Sequence, residues 1–252
     1  MKTILITGAT AGFGEAIARK FAENNYRLIV CGRRKDRLKK LEATLREKFS
    51  TKILSLSFDV RKNAEVKNAI ETLPEEWKTI DMLVNNAGGA QGLSHIQDGD
   101  TEDWDTMIDA NVKGLLYVTR CVAPLMIAKN SGYIFNVGST AGKYVYENGN
   151  VYCATKFAVD ALTEAMRIDM LKHNIRVTGI HPGAAETEFS LVRFKGDTER
   201  AKKVYEGFKP LEAVDIAEII FFCASLPAHV NINELVVTPT AQANPFYINR
   251  KN

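Results

Sequence analysis

The chain contains seven short runs of apolar and β-branched residues, and longer helical patterns separate them. The runs are almost continuously apolar, which is typical of strands buried on both faces rather than of strands with one wet face. Alternating strands and helices call for right-handed crossovers, and these produce a parallel sheet with helices on both sides. The predicted strands are Thr3–Thr7, Tyr26–Cys31, Lys52–Phe58, Asp81–Asn85, Tyr133–Gly138, Ile175–Ile180 and Glu234–Thr238.

Several connecting segments have apolar residues at three- and four-residue spacing, which predicts helices. They are Gly12–Glu23, Lys35–Phe49, Glu102–Lys129 and Tyr152–Lys172. Neither a linker nor an internal repeat interrupts the alternation. We therefore predict a single α/β domain over residues 1–252, with a doubly wound (Rossmann) parallel sheet of about seven strands.

The predicted domain divides into functional parts. We expect residues 1–90 to form a cofactor half, and residues 91–183 together with 211–252 to form a catalytic half. Residues 184–210 lose the regular spacing after a strand end, so we expect a substrate lid there. A plain surface excursion is the alternative for that segment.

The composition excludes several kinds of partner. The chain has 33 basic and 30 acidic residues without the polybasic block that a nucleic-acid backbone would need. The four cysteines and four histidines are scattered, so we expect no metal and favour a reducing compartment. No apolar run reaches the roughly 18 residues of a membrane span. We expect a cytoplasmic protein with neither a nucleic-acid nor a membrane partner.

A glycine-rich turn joins the first strand to the first helix. Three residues separate Gly8 from Gly12, so the turn departs from the G-x-G-x-x-G pattern. Glycines still allow a sharp turn and bring backbone N–H groups close to a pyrophosphate at the positive end of the helix. The residues predicted to bind a dinucleotide here are Gly8, Thr10, Ala11, Gly12, Phe13 and Gly14.

The end of the second strand carries the residues expected to select the cofactor. NAD enzymes of this topology place an acidic residue there for the ribose 2′-hydroxyl, whereas this chain has Gly32, Arg33 and Arg34. Each arginine can donate charge-assisted hydrogen bonds to a 2′-phosphate, which a carboxylate would repel. NADP is therefore favoured over NAD. The alternative is that the two arginines merely decorate a helix start.

Two further strand ends supply predicted cofactor contacts. Asp59, followed by Val60, can accept a hydrogen bond from the adenine amino group, or it can cap the helix that begins near Arg61. The small and amide residues after the fourth strand allow close approach to the cofactor ribose, although they are also common in turns. These residues are Asn86, Ala87 and Gly88.

A serine, a tyrosine and a lysine form the predicted reaction centre. Ser139 follows the fifth strand, and Tyr152 and Lys156 share a helix face because they are four residues apart. A tyrosine titrates near pH ~10, so we expect the Lys156 charge to favour the phenolate. Tyr152 would then exchange a proton with the substrate oxygen that Ser139 holds. Each residue alone also has a structural explanation, as a half-buried aromatic, a solvated charge or a cap.

In combination, these motifs resemble the short-chain dehydrogenase/reductase family from end to end. The resemblance rests on Thr7-Gly8-x-x-x-Gly12-x-Gly14, Asn85-Asn86-Ala87-Gly88, Asn111, Ser139 and Tyr152-x-x-x-Lys156. It implies an oxidoreductase in which Asn111 holds a water that completes a proton relay from Tyr152 through Lys156. It also implies that Tyr152 and Lys156 contact the cofactor, Lys156 at the nicotinamide ribose.

The resemblance extends to the nicotinamide end and to assembly. Pro182, Gly183 and Thr187 match the segment that binds the nicotinamide amide in this family, although Ala185 stands where a branched aliphatic residue is common. The family also implies a homotetramer formed through the long helices and the C-terminal strand. The apolar tail 244–248 is expected to pack against a neighbouring subunit.

Further motifs, among them Thr187-Glu188-Phe189-Ser190 and Arg193-Phe194-Lys195-Gly196-Asp197, are similar to those of NADP-dependent 3-hydroxy acid dehydrogenases, which oxidise serine and allo-threonine. Such substrates carry a carboxylate, and Arg193 or Lys195 in the predicted lid is its candidate ligand. Solvated lid charges are the alternative.

Two other functions compete with a 3-hydroxy acid dehydrogenase. The first is an NADPH-dependent carbonyl reductase for neutral ketones or aldehydes. The second is a nucleotide sensor that keeps the fold without catalysis, because fold alone does not establish activity. His181 is predicted to be structural, since the sequence places no carboxylate or nucleophile with it.

Overall fold

The computed structural model describes residues 1–251. One parallel sheet orders the strands β3-β2-β1-β4-β5-β6-β7, so the chain starts at the centre, winds outwards to β3 and returns to β4 beside β1. The strand order therefore reverses between β1 and β4, where open α/β sheets form their ligand crevice. The strands are β1 (Thr3–Thr7), β2 (Arg27–Gly32), β3 (Ile53–Ser57), β4 (Met82–Asn85), β5 (Gly132–Val137), β6 (Ile175–Pro182) and β7 (Glu234–Val237).

Helices cover both faces of the sheet, and this confirms the predicted doubly wound fold. The described helices are α1 (Gly12–Glu23), α2 (Lys35–Lys48), α3 (Asn63–Glu71), α4 (Thr101–Ile108), α5 (Leu115–Ala128), α6 (Asn150–Asp169), α7 (Glu188–Arg193), α8 (Thr198–Lys203) and α9 (Ala213–Ser225). On one face, α1, α2 and α9 form a core in which Ile17 and Phe21 lie one turn apart and point at the sheet. On the other face, α3, α5 and α6 pack against it through residues such as Val122 and Val159.

The prediction that every strand is buried on both faces is wrong for the two edge strands. β7 alternates between exposed and half-buried residues, and Val236 is 52% exposed. β3 has one fully buried residue, Ile53. The helices within this chain leave part of each edge strand uncovered, whereas β1 and β4 are buried along their whole length as predicted.

The long helix predicted over Glu102–Lys129 is interrupted. A π-helical turn at Asp109–Gly114 separates α4 from α5. Such turns often occur at functional sites because they redirect side chains. Close packing accompanies the interruption, since a Cβ added at Gly114 would lie 2.8 Å from Cγ2 of Val60 at the end of β3.

The segment 184–210 is more regular than its sequence indicates. It contains the short helices α7 and α8, each of six residues. Thr187 caps α7 by accepting a hydrogen bond from Phe189 N, and Asp197 caps α8 by accepting one from Arg200 N. Helices this short do not develop an apolar period that a sequence pattern can reveal.

None of the helices within residues 1–251 is both long and apolar enough to cross a membrane.

Candidate active site

The carboxyl ends of the strands meet around one large cleft. Its volume is about 580 Å³, and it runs from the ends of β2 and β3 past the glycine turn to the ends of β5 and β6. Nearly every site residue predicted from the sequence lines it. Two predicted residues, Gly14 and Asn111, lie behind the lining and support it. The sheet therefore gathers residues from widely separated parts of the chain into one site.

The glycine turn needs its glycines for two physical reasons. Gly8 and Gly12 adopt positive φ angles of 66° and 51°, which L side chains rarely adopt. Gly14 is required by space, because a Cβ there would collide with the carbonyl oxygen of Gly8. Ala11, the residue before α1, makes no side-chain capping bond, so the first N–H groups of α1 can bind phosphate oxygens.

Asn86 braces this turn rather than reaching the cleft with its amide. Its Nδ2 donates to the carbonyl oxygens of Thr7 at 2.9 Å and Gly8 at 3.2 Å. The Thr7 hydroxyl accepts hydrogen bonds from the backbone N–H groups of Asn86 and Ala87, both at 3.0 Å. The end of β4 is thereby tied to the end of β1, where Asn86, Ala87 and Gly88 all border the cleft.

Arginines cluster at the β2 end of the cleft. Arg34 donates from Nε and Nη2 to the hydroxyl of Thr10, at 3.1 and 2.9 Å, while Arg33 is largely exposed beside the cleft. Arg37 joins Arg34 because it lies three residues further on the same helix side. Both Arg34 and Arg37 pair with Glu188 of α7, at 2.9 and 2.6 Å. Arg37 was not among the sequence candidates, although its spacing from Arg34 could have indicated it.

Asp59 lies at the end of β3, but its carboxylate is already engaged. Arg61 donates to it from Nη2 at 2.6 Å and from its backbone N at 3.0 Å. Burial acts to raise the pKa of Asp59, and the hydrogen bonds and charge of Arg61 outweigh it and keep the pKa below its ordinary value. The alternative that Asp59 caps the next helix is wrong, because α3 begins at Asn63 after Lys62.

The segment after β6 forms the opposite wall of the cleft. Gly183 donates from its N–H to the carbonyl oxygen of Val237 at 2.7 Å, and Ala184 donates to Oε1 of Gln242 at 2.8 Å. Gln242 is buried. Together, these two hydrogen bonds hold Pro182 and Gly183 in place beside β7. The sequence analysis missed Gln242, and no local pattern marks it, since it reaches the site from 58 residues away.

Ser139, Tyr152 and Lys156 come together as predicted. The hydroxyl of Ser139 accepts a hydrogen bond from Ala141 N at 3.1 Å, and all three side chains line the cleft. Lys156 Nζ lies 5.9 Å from the centre of the Tyr152 ring and donates to the carbonyl oxygen of Val137 at 2.9 Å. Tyr152 and Lys156 are only 7% and 8% exposed, so the reaction centre is nearly dry.

Burial sets the protonation of this centre in the chain alone. It lowers the pKa of Lys156 from 10.5 to about 8. Burial also raises the pKa of Tyr152 well above 10, and the Ser139 hydroxyl and the Arg193 charge oppose it only in part. The sequence predicts that Lys156 favours the phenolate of Tyr152. These residues alone do not produce that effect, because the Lys156 ammonium donates its hydrogen bond to the carbonyl oxygen of Val137.

Asn111 lies in the π-helical turn behind the reaction centre. Its Oδ1 accepts from Gly89 N at 2.8 Å, and its Nδ2 donates to Gly89 O and to the hydroxyl of Thr155, both at 2.9 Å. The side chain thus locks the end of β4 to α6, one residue before Lys156. Both Nδ2 donors of Asn111 are therefore engaged, and only the second lone pair of its Oδ1 and its backbone are left to bind a water.

Arg193 reaches the cleft from the last residue of α7. Its Nη1 donates to the hydroxyl of Tyr146 at 2.8 Å, its Nε donates to Gly92 O at 3.2 Å, and its guanidinium lies 5.6 Å from the centre of the Tyr152 ring. Lys195 points elsewhere, since it pairs with Asp103 at 3.0 Å outside the cleft. Of the two candidates for a substrate carboxylate, the structure places only Arg193 at the reaction centre.

His181 is more crowded by charges than the sequence indicated. Its Nε2 lies 3.5 Å from Asp160 and 3.8 Å from Glu234, and these three groups could hold a metal ion. The ammonium of Lys143 already bonds to both carboxylates, at 2.9 and 2.5 Å, and supplies the positive charge there. Burial lowers the pKa of His181, so the imidazole is neutral at physiological pH.

The family model of the short chain dehydrogenases matches residues 2–197. The chain therefore belongs to the short chain dehydrogenase family, and it is an oxidoreductase of that class. This confirms the family that the sequence motifs resemble.

Two relatives and one solved structure are especially similar. An NADP-dependent 3-hydroxy acid dehydrogenase of Salmonella typhi is 48% identical over 241 residues, which cover 95% of this chain and 96% of the relative. Sulfoacetaldehyde reductase 2 of Chromohalobacter salexigens is 45% identical over 249 residues, which cover 98% of each chain. The closed form of serine dehydrogenase complexed with NADP⁺ has a TM-score of 0.91 and 46% sequence identity, with 96% of each chain covered.

Substituting the buried lysine tests the electrostatics of the site. Between about pH 8 and pH 10.5, the unfolded chain binds more protons than the folded chain because burial lowers the pKa of Lys156. The unfolding free energy of the native chain should therefore rise with pH, relative to Lys156→Met, by up to about 3 kcal/mol across this interval. Urea titrations of both proteins without cofactor measure the difference. Lys40→Met, at an exposed position in α2, is the matched control. Parallel pH profiles for native chain and Lys156→Met would contradict the assignment.

Proposed function

We propose that this chain transfers a hydride between NADP and the hydroxyl-bearing carbon of a short 3-hydroxy acid of the serine or allo-threonine type. One observation carries the proposal. Arg193 is 9% exposed and lines the reaction centre, and its side-chain hydrogen bonds go to the neutral groups Tyr146 and Gly92. Burying a guanidinium without a carboxylate partner costs free energy unless a bound anion neutralises its charge. The substrate carboxylate is that anion.

The named substrates of the relatives support this choice. A 3-hydroxy acid carries a carboxylate and sulfoacetaldehyde carries a sulfonate, so both present an acidic group close to the reacting carbon. Arg193 suits either anion, because its planar fork donates two parallel hydrogen bonds. Reduction of a short sulfonated aldehyde is therefore the second candidate. A neutral ketone or aldehyde would leave Arg193 without a counter-charge, which disfavours the general carbonyl reductase.

NADP is the cofactor, and the cleft offers a place for each part of it. The N-terminus of α1 and the glycine turn bind the pyrophosphate, Arg33 and Arg34 with Arg37 bind the 2′-phosphate, and Pro182, Gly183 and Thr187 bind the nicotinamide. The cleft runs from the arginines past the glycine turn to Pro182, Gly183 and Thr187, and Tyr152 also lines it. When bound, the oxidised nicotinamide supplies the hydride acceptor and a positive charge.

The chain's own residues handle the proton. Ser139 holds the substrate oxygen, and Tyr152 takes the hydroxyl proton during oxidation or returns it during reduction. Lys156 binds the nicotinamide ribose and passes the proton towards Asn111 and solvent. Tyr152 ionises only when positive charge approaches its ring, because burial raises its pKa in the chain alone. We also propose that residues 184–210 form the lid that carries Arg193 to the substrate.

Replacing the phenol tests the proton transfer. Tyr152→Phe should lower kcat by at least about 100-fold, because the general acid and base is lost. The dissociation constant of NADP should change less than about threefold, since the phenol contributes at most one hydrogen bond to it. Steady-state kinetics and NADP titration by fluorescence measure the two effects. Full turnover in a variant that still binds NADP would contradict the role of Tyr152.

Replacing the anion ligand tests the substrate class. Arg193→Ala should raise KM for serine or 3-hydroxy acids by roughly 10- to 100-fold, since a buried charged hydrogen bond is worth about 1.5 to 3 kcal/mol. The KM for an uncharged alcohol of the same length should change little. Lys195→Ala, which removes a lid charge outside the cleft, is the matched control. Equal losses for charged and uncharged substrates would refute the carboxylate site.

We propose that the chain forms a homotetramer in the cytoplasm. Its four cysteines are unpaired, which suits a reducing compartment. Exposed apolar side chains lie along α5 and α6, where Phe157 and Ile168 are 41% and 69% exposed, and again around β7 and the tail, where Phe246 and Tyr247 are 58% and 72% exposed. Two such faces are what a tetramer with two kinds of interface needs.

Polar substitutions in the tail test the assembly. Phe246→Ser combined with Tyr247→Ser should shift the mass from tetramer to dimer in sedimentation experiments at micromolar concentration, because apolar area is removed from one of the two faces. Ile96→Ser changes an equally exposed apolar residue away from both faces and should leave the tetramer intact. A monomeric native chain would refute the tetramer, and an unchanged mass of the double variant would refute the role of the tail.

A further inference from the structure

Glu188 occupies an unusual position between the lid and the cofactor site. It is the first residue of α7, and its two carboxylate oxygens bind different arginines, Arg34 immediately before α2 and Arg37 in its first turn. Oε2 lies 2.9 Å from Nη1 of Arg34, and Oε1 lies 2.6 Å from Nη1 of Arg37. The start of the lid helix is thereby fastened to the two arginines that stand at the β2 end of the cleft.

The carboxylate occupies the donors that an incoming phosphate needs. Nε and Nη2 of Arg34 donate hydrogen bonds to Thr10, and Nη1 donates one to Glu188. Each side-chain nitrogen of Arg34 therefore already has an acceptor. Arg33 and Arg34 line the cleft, as does Glu188 itself. A phosphate dianion placed on Arg34 and Arg37 would therefore lie next to a carboxylate, and like charges at such short range repel. The two anions compete for one pair of guanidinium groups.

The competing contact is weak enough to be displaced. Glu188 and its two partners are each 40% to 49% exposed, and ion pairs this open to solvent stabilise little. The arginines keep Glu188 ionised, because although burial acts to raise its pKa, their hydrogen bonds and charges hold the pKa below its ordinary value. The negative charge is therefore present at neutral pH.

The same short helix leads directly to the substrate site. Glu188 begins α7 and Arg193 ends it, which spans about 7.5 Å at 1.5 Å per residue. Thr187, next to Glu188, packs against the glycine turn, since a Cβ at Gly12 would lie 3.4 Å from Cβ of Thr187. A change of partner at Glu188 thus acts on the helix that positions Arg193.

We propose that Glu188 is a specificity-determining residue that competes with the 2′-phosphate of NADP for Arg34 and Arg37, so that the phosphorylated cofactor, unlike NAD, releases the start of α7. The inference rests on the proposed 2′-phosphate site at these arginines. Glu188 then limits the affinity for NADP while leaving NAD binding unaffected.

The test compares two probes that differ only in the 2′-phosphate. Adenosine 2′,5′-bisphosphate and adenosine 5′-monophosphate are titrated by calorimetry into the native chain and into Glu188→Gln. The variant should bind the bisphosphate roughly three- to tenfold more tightly, because two exposed ion pairs no longer have to be given up. Binding of the monophosphate should not change. NADP and NAD, titrated in the same way, should show the same contrast.

Two further variants make the experiment decisive. Glu199→Gln removes another lid carboxylate, which is 78% exposed and pairs with Lys202 on α8, and it should leave both probes unaffected. In an Arg37→Met background, Glu188→Gln should lose most of its effect, because one of the contested partners is gone. Glu188→Ala, checked for folding by its melting curve, should act in the same direction as Glu188→Gln.

Each outcome decides a separate question. If the native chain binds both probes equally, the 2′-phosphate site at Arg34 and Arg37 is wrong, and the competition is wrong with it. If it prefers the bisphosphate but Glu188→Gln binds it no more tightly, the site stands and the competition is refuted. If Glu188→Gln weakens both probes together, Glu188 only orders the lid, and the proposal is likewise overturned.

Discussion

The hydrogen bonds from the Asn86 amide to Thr7 and Gly8 hold together the centre on which the rest of the site depends. They join the end of β4 to the end of β1 at the point where the strand order reverses. The contact of Gly14 with the Gly8 carbonyl then sets where α1 begins and where its N–H groups point. The arginines at the end of β2 and the reaction centre of Ser139, Tyr152 and Lys156 lie on opposite sides of this junction, so these contacts help to fix their separation.

Burial determines the acid–base behaviour of a reaction centre that is built from ordinary residue types. The same desolvation that raises the pKa of Tyr152 lowers the pKa of Lys156, because burial disfavours the charged form of both groups. In the chain alone the tyrosine therefore stays protonated at neutral pH, and the proton transfer proposed above needs additional positive charge near its ring.

Much of this could be predicted from the sequence, because local chemistry determines it. Apolar runs locate the strands to within about two residues, the end of β5 brings Ser139 to the cleft, and the four-residue spacing puts Tyr152 and Lys156 on one face of α6. Tyr146 and Gln242 could not be predicted, because they act through contacts with Arg193 and Ala184 that only the folded chain creates. The choice between Arg193 and Lys195 was open for the same reason, since it depends on Asp103 drawing Lys195 away from the cleft.

The two ends of α7 show how the environment of an arginine decides what it can do. At the first residue, Glu188 shares Arg34 and Arg37, so a ligand there has to displace a weak internal anion. At the last residue, Arg193 is buried and its hydrogen-bond partners are neutral. An anionic ligand there would supply the counter-charge that these contacts lack. A cofactor phosphate that has to displace Glu188 is more easily released. An anion that neutralises Arg193 is bound in preference to an uncharged substrate. The substrate class proposed above requires both behaviours, because the cofactor has to leave after each turnover while uncharged alcohols have to be rejected.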